Sequence, residues 1–464
     1  MTRLFRGFVA LEMVILGILE LSLCFLIFYI LFLPGDMALS PQTLRGFEPA
    51  TAGHAAILAL TIGAISMAIG MYRPEVCLQT RRLLVTSVMA GVLAFPAILA
   101  LSMVTDIDPS FLLGQDALWP MKILLSWILL LFITRLCFRA MLRSGLLSRR
   151  VLIVGSAVQA AMTAVALRSM RRGFFSLASV VPPEDAGTVT VDRLRGQRIW
   201  AVVVTQDAQL AMAGASARLT AARIRLFDDV AFREQQLRRL DLDHLADDWL
   251  ADPAHHGTSH QGTESLSPGP FITGMRRAAD IAISLAVLAI SLPVMLAAAT
   301  LVWLSSPGPI LYRQVRVGLH GRTFVLFKFR SMYLDAEAHG PAWAARHDPR
   351  VTRLGQIMRH SRIDELPQLF NVLRGEMSIV GPRPERPHFV AQLDNLIPFH
   401  ADRTRVKPGI TGWAQVNYPY GASVEDARQK LSYDLYYVKH RSLLLDLVIL
   451  MATVRVILFQ EGAR

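Results

Sequence analysis

Residues 359–385 read RHSRIDELPQLFNVLRGEMSIVGPRPE. Two adjacent acids, Asp364 and Glu365, precede a proline and a short apolar helical run, inside a field of basic side chains. That field extends outward to Lys328 and Arg330 in FKFRSM, Arg350 and Arg353 in DPRVTRLG, and Arg359, Arg362, Arg374, Arg383, Arg386 and Lys407. Guanidinium forks suit bidentate phosphate recognition, and lysine acts as a compact charge. Many of these cations sit between glycine, proline and apolar residues, which favours a phosphate-binding surface over a solvated basic face. The helix end and the arginines are expected to hold a carboxylate of the pair ionised at neutral pH. An ionised carboxylate can attack phosphorus or take up Mg²⁺ beside a diphosphate. The pair could equally cap the helix and neutralise Arg359, and residue chemistry alone leaves both readings open.

The rest of the chain says where such chemistry would sit. Its 464 residues are 53% hydrophobic and only 18% charged, a balance that points to membrane segments beside a soluble part. The net charge of +12 suits an anionic leaflet and phosphorylated substrates. No basic helix or aromatic-interleaved motif points to nucleic acid. Cys24, Cys77 and Cys137 form no CxxC pair, so neither a disulfide framework nor a zinc site is supported. Apolar stretches near 9–33, 52–72, 83–104 and 118–142 are each expected to cross the bilayer as one helix of a four-helix bundle. The first is too long for a cleavable signal and lacks a small-residue cleavage site. Arg3, Arg6, Arg73, Arg81, Arg82, Arg143, Arg149 and Arg150 flank one side of these spans; the other side carries Arg45, Asp106, Asp108 and Asp116. The charge bias puts both ends of the bundle in the cytoplasm. Glu20 is expected to face the bundle interior as a hydrogen-bonded acid.

A fifth apolar stretch, Ile281 to Leu304, is flanked by bases on both sides, with Pro293 near its middle. It is read as a re-entrant helix over 276–304 that breaks near Ser291 and Pro293 and returns to the same face. Between the membrane regions, VLIVG, IWAVVVT and IRLF alternate with helical or loop segments, as in a small parallel α/β sheet. Its first turn, GSAVQA, carries the single glycine Gly155, too few for a dinucleotide fingerprint. Residues 251–270 have linker composition, which accounts for His255, His256 and His260. The C-terminal LLLDLVILMATVRVILF, with Asp446 and Arg455, suits an interfacial or packed helix better than a full crossing.

Residues from about 275 to the C-terminus resemble the bacterial sugar transferase superfamily, the monotopic polyprenyl-phosphate phosphoglycosyl transferases. The matching pieces, in order, are SPGPILYRQVRVG, FKFRSM, IDELPQLFNVLRGEMSIVGPRPE and KPGITGWAQVN. The bundle and degenerate α/β domain resemble the family's large members, and the stretches KPGITGWAQVNYPYGAS and YDLYYVKH resemble exopolysaccharide-type members, including those associated with PEP-CTERM systems. The resemblance implies a four-helix membrane bundle (1–145), a Rossmann-like α/β domain (146–250), a linker (251–270) and an α-rich catalytic domain with a re-entrant helix (271–464). It implies Asp364 as a nucleophile towards the β-phosphate of a UDP-sugar, with Mg²⁺ at Asp364, and Glu365 as its dyad partner. Arg359 and Arg383 match basic residues of the family's active site, and Lys328, Arg330, Arg386 and Lys407 of the basic field stand beside them as candidates for substrate binding. Undecaprenyl phosphate becomes the acceptor, at the inner-membrane surface. Glucose is the first expectation for the sugar and galactose the next; the bundle and α/β domain offer surfaces for a homodimer. Two departures stand out: Leu292 separates Ser291 from Pro293, and Glu376 replaces the aspartate of a GDMS motif. The competing readings are a membrane-anchored nucleotide-sugar oxidoreductase and a non-catalytic assembly scaffold.

Overall fold

The computed structural model describes residues 11–32, 49–72, 83–94, 119–144, 147–169, 175–245, 249, 270–305, 307–334, 336, 348–418, 421 and 423–459. The linker histidines, Cys77, the side chain of Arg143 and the other charged residues expected to orient the first spans lie outside the described residues, Arg149 and Arg150 excepted. The contacts divide the chain into two compact units, Met1–Asp229 and Val230–Arg464.

The first unit opens with apolar helices α1 (Leu11–Phe32), α2 (Pro49–Ile69), α3 (Leu83–Ala94) and α4 (Trp119–Arg143). At 1.5 Å per residue, the 22 residues of α1 and 25 of α4 extend about 33 and 38 Å. Each helix buries one stripe, Met13, Leu16, Glu20, Cys24 and Phe28 on α1, and leaves another apolar stripe exposed, Ile15, Leu19, Leu26 and Ile30. A helix apolar on both its packed and its outer face suits lipid, not water. Among the described residues, Met121–Leu142 and Pro270–Ser305 are long and apolar enough to cross a membrane, and the other apolar stretches are shorter. Glu20 is buried as expected: Arg135 Nη2 donates to its Oε2 at 3.0 Å and Thr134 Oγ1 to its Oε1 at 2.8 Å.

The α/β part is a four-stranded parallel sheet of β1 (Arg149–Val154), β2 (Phe175–Val181), β3 (Ile199–Val204) and β4 (Arg225–Asp228), ordered β2-β1-β3-β4. Helices α5 (Ala157–Ser169), α6 (Val191–Gly196) and α7 (Gln209–Ala221) connect the strands. The crevice after β1 and β3 is where such sheets hold phosphates. Here Asp207 fills it: its Oδ2 accepts the Ser156 N–H at 2.9 Å, and its Oδ1 accepts from Thr205 Oγ1. A Cβ on Gly155 would lie 1.8 Å from Thr205 Oγ1, so this glycine serves strand-to-strand contact. A carboxylate at the start of α5 repels a pyrophosphate, which strengthens the reading of a sheet without a nucleotide.

The second unit starts at Val230, within helix α8 (Asp229–Leu237), so residues 230–249 group with the C-terminal unit instead of the α/β domain expected to run to residue 250. Its spine is α9 (Pro270–Ser305), followed by the antiparallel hairpin β5 (Leu311–Val317) and β6 (Thr323–Phe329). Then come α10 (Arg353–His360), α11 (Gln368–Arg374), β7 (Ser378–Val380), α12 (Pro387–Leu396), β8 (Gly409–Thr411), α13 (Trp413–Asn417), α14 (Val424–His440) and α15 (Leu443–Phe459). Strands β7 and β8 are parallel neighbours. A Cβ on Gly381 would stand 2.3 Å from the Lys407 carbonyl, so the glycines of GPRPE and KPGITG bring two main chains together.

The α9 helix corrects one expectation. It runs uninterrupted for 36 residues with Pro293 inside it, so the helix does not end at Ser291 and Pro293. One proline forfeits one main-chain bond and bends a helix without necessarily ending it. Residues Arg276, Ser284, Met295, Ala298 and Val302 are buried, at helical spacing along one stripe. Near one end, Arg277 donates to the Val372 and Leu373 carbonyls at 2.6 and 2.7 Å, and Asp280 accepts from the Ile379 N–H at 2.9 Å. Near the other end, Met295, Ala298 and Val302 share a core with Phe329 and Met358. Both ends of the helix therefore bear on the same unit. Its outer face exposes Leu285, Ile290, Leu292, Leu296, Leu301, Trp303 and Leu304. Asp446 of α15 pairs with Arg276 at 3.2 Å and accepts from Tyr437 at 2.7 Å, so α15 packs on the unit by a polar contact. The side chain of Arg455 lies outside the described residues.

Candidate active site

Three local structures converge on the acid pair. The β6 strand carries Lys328 and is gripped by Asn371 of α11, fully buried in an otherwise apolar run. Asn371 Oδ1 accepts the Phe327 N–H at 3.1 Å, while Nδ2 donates to the Val325 carbonyl at 2.7 Å and to Glu376 Oε2 at 2.7 Å. Glu376, flagged as the departure from GDMS, is thus an acceptor for a structural amide. Thr352 caps α10 by accepting the Gly355 N–H at 2.9 Å, and that helix presents Arg359, whose Nε donates to Ser331 Oγ at 2.9 Å. The chain then turns through Arg362 in the left-handed region, φ 60°, a strained setting for a side-chain-bearing residue. A single 3₁₀ turn, Ile363–Glu365, follows and delivers both acids into the interior ahead of α11.

The two carboxylates have different surroundings. Glu365 Oε1 receives Lys328 Nζ and Arg383 Nη2, each at 2.8 Å, and Arg362 Nη1 stands 3.8 Å from Oε2. Burial works against its ionisation, but Arg383, Lys328 and Arg362 outweigh it and hold Glu365 well below the usual carboxylate range. Asp364 is 5% exposed, and its Oδ1 is buried with no hydrogen-bond partner among the described residues. Burial and the neighbouring Glu365 charge push Asp364 up, against Lys328, Arg359 and Arg362. The expectation that the basic field would hold a carboxylate of the pair ionised is met by Glu365, while Asp364 is shifted the other way because the cations lie on its partner.

The other expected residues separate into groups. Arg359 and Arg383 stand beside the pair. Arg386 and Arg383 crowd Arg316, whose guanidinium is driven down to about 10 by burial and then by those two charges. Arg316 Nη1 donates to the Pro384 carbonyl at 3.0 Å and Nη2 to Gln314 Oε1 at 2.5 Å, so it is tied to the loop that carries Arg383 and Arg386; in the sequence it stood only among the bases flanking the apolar stretch. Arg330 does not join them. Its Nη1 donates to the Pro307 carbonyl at 2.9 Å and its Nη2 to Val302 at 3.4 Å, so it caps the C-terminal end of α9. Lys407 lies by Gly375 at the far end of α11, where burial and Arg277 lower its pKa. Ser291 Oγ contacts Met295 Sδ at 3.6 Å within α9.

Asn371→Leu leaves the Phe327 N–H and Val325 carbonyl without their partner. At about 1–3 kcal/mol for each of the two groups left unsatisfied, a loss of roughly 2–6 kcal/mol is expected. A thermal melt in detergent checks it; an unchanged Tm would show that β6 does not depend on this amide.

Comparison with known proteins now has a geometry to stand against. The bacterial sugar transferase family model matches residues 272–460. A UDP-N-acetylgalactosamine-undecaprenyl-phosphate N-acetylgalactosaminephosphotransferase of Aeromonas hydrophila is 43% identical over 248 residues, 53% of this chain and 56% of its own. UDP-glucose:undecaprenyl-phosphate glucose-1-phosphate transferases of Xanthomonas campestris pv. campestris and Caulobacter vibrioides are 47% identical over 175 residues and 42% over 190. These matches cover 37% and 40% of this chain, and 36% and 71% of the relatives. The chain thus spans about half of the Aeromonas protein and about a third of the Xanthomonas one. With the matched region enclosing the hairpin, the acid turn and the helix beneath them, this chain belongs to the bacterial sugar transferase family.

Proposed function

We propose that the protein transfers a hexose 1-phosphate from a UDP-sugar to undecaprenyl phosphate through a covalent aspartyl intermediate. The observation that carries this is the asymmetry of the acid pair: Glu365 is fixed by three cations, while Asp364 keeps a buried oxygen with no hydrogen-bond partner among the described residues. Asp364 attacks the phosphorus that bears the sugar, and the bond to UMP breaks with UMP taking the electron pair. The acceptor's phosphate oxygen then attacks the same phosphorus and returns the Asp364 carboxylate. Arg359, Arg383, Arg386 and Arg316 offer charge to the donor's diphosphate. That oxygen of Asp364 also fits Mg²⁺, which takes one or two carboxylates with substrate phosphates completing its shell. Bound at Asp364, the ion would favour the ionised carboxylate and offset the charge of the leaving group.

The contacts of α9 support the membrane placement. A helix with both ends on one globular unit and an apolar outer face suits a stretch lying in a single leaflet, with the acid pair at the cytoplasmic interface. The relatives' names support glucose as donor sugar, with the length of the Aeromonas match favouring N-acetylgalactosamine as a second reading. Purified protein with Mg²⁺, undecaprenyl phosphate and a panel of UDP-sugars should release UMP with one preferred donor, and EDTA should stop it. No UMP from any donor would overturn the reading.

A further inference from the structure

The α/β sheet carries a side-chain cluster that phosphosugar transfer does not use. Between β1 and β3 the register slips, Arg150 facing Ile199 and Val151 facing Ala201, so Trp200 is the extra residue of a β-bulge. The bulged indole is held between guanidiniums: Arg149 lies 5.0 Å and Arg225 4.8 Å from its ring centre. Phe227 stacks on it at 5.9 Å and Phe175 meets it edge-on at 5.8 Å. Arg149, Phe175 and Arg225 open β1, β2 and β4 and Trp200 is second in β3, so these four gather at one end of the sheet, with Phe227 of β4 stacked on the indole. That end adjoins the membrane helices. Phe175 and Leu147 pack against Met13 and Leu16 near the start of α1 and against Phe138 and Leu142 near the end of α4.

We infer that Arg149, Trp200 and Arg225 form a contact for anionic phospholipid headgroups at the leaflet beneath the α/β sheet. The juxtaposition carries it: two forked cations and an indole, set where two apolar helices end. Tryptophan settles at the headgroup level, and a guanidinium on an aromatic face keeps its charge while shedding some water. A phosphodiester there meets two forks at once. The cluster's helices supply the height, and its charge supplies the preference for an acidic lipid. The contact would hold the sheet against the bilayer surface. This rests on reading α1 and α4 as membrane spans.

The test uses the full chain, delipidated in a neutral detergent and titrated with phosphatidylglycerol or phosphatidylcholine, bound lipid being counted by native mass spectrometry. Wild type should bind phosphatidylglycerol in preference. Arg149→Gln with Arg225→Gln should weaken it about 30-fold, from roughly fivefold per basic side chain, with phosphatidylcholine binding unchanged. Arg149→Lys with Arg225→Lys, which keeps both charges, should recover most of the affinity and guards against a folding defect in the glutamine pair. Equal phosphatidylglycerol binding by wild type and the glutamine pair would overturn the inference. So would displacement of the lipid by inorganic phosphate, or by undecaprenyl phosphate at equal concentration, which would mark a general phosphate or substrate site. Release of the chain from membranes by carbonate would instead break the span reading. A chain that stays inserted yet binds both lipids alike breaks only the headgroup contact.

Discussion

Asp364→Asn should abolish the covalent phosphosugar adduct and lower UMP release by at least about 10⁴-fold, in the range seen when a covalent nucleophile is removed. The substitution is nearly isosteric. It removes the negative charge from a site whose Oδ1 already lacks a hydrogen-bond partner among the described residues, so the fold should be little affected. An amide oxygen is a far weaker nucleophile towards phosphorus than a carboxylate. Intact-mass measurement after incubation with donor alone separates the first half-reaction from the second. Wild type should gain one hexose phosphate and the variant none.

Glu365→Gln gives the internal contrast. Its carboxylate is the shared anchor of Lys328, Arg383 and Arg362, so neutralising it loosens three cations at once without removing the attacking oxygen. That variant should still form adduct, more slowly. If Asp364→Asn labels normally and Glu365→Gln does not, the roles of the two acids are exchanged.

Much of this site was legible in the sequence because its elements are short and contiguous. The acid pair, the proline and the apolar run fix a turn followed by a helix, and the structure supplies that. Convergence across the chain was not legible. Lys328 and Arg383 reach one oxygen of Glu365 from 37 and 18 residues away, and no local pattern encodes that meeting. Lys328 and Arg330 share strand parity, which invites one role for both. Yet β6 ends at Phe329, and past that point alternation no longer decides direction, leaving Arg330 to cap α9. Within the apolar run LFNVL the sequence gives no sign that Asn371 is the clamp on β6. In the α/β domain the buried strands β1 and β3 read clearly from their apolar runs. The edge strand β2, FSLASVV, mixes serine with apolar residues and gives no such run. Pro293 pointed to a break within the apolar stretch, but the flanking turns carry the helix through it.

Arg403→Met should cost about 3–5 kcal/mol, a drop in Tm of roughly 10 °C. Arg403 is 9% exposed and binds two acids from different elements, Glu385 Oε1 and Asp434 Oδ2, each at 2.8 Å. Its Nη2 also donates to the Arg383 carbonyl at 3.0 Å, so it fastens the GPRPE loop, and with it Arg383, to α14. Methionine fills similar space but strands two carboxylates in the interior. Burial opposes ionisation of Glu385, yet Arg403 brings it below its ordinary value; burial holds Asp434 up at about 6 with Arg403 opposing. In the wild type, then, the Glu385 contribution is present above its unfolded pKa of about 4.3 and is lost as pH falls through the lower folded value. Without Arg403 both acids move upward, and their ionisation removes stability as pH rises through the raised folded values. The gap between variant and wild type should therefore be widest near pH 8 and narrow towards pH 5. Adding Glu385→Gln and Asp434→Asn to Arg403→Met removes the stranded charge and should recover most of the loss at pH 8. Melting curves at the two pH values test this directly: a gap independent of pH would mean that methionine fails by packing, and a gap under about 1 kcal/mol would mean that the triad does not hold the loop.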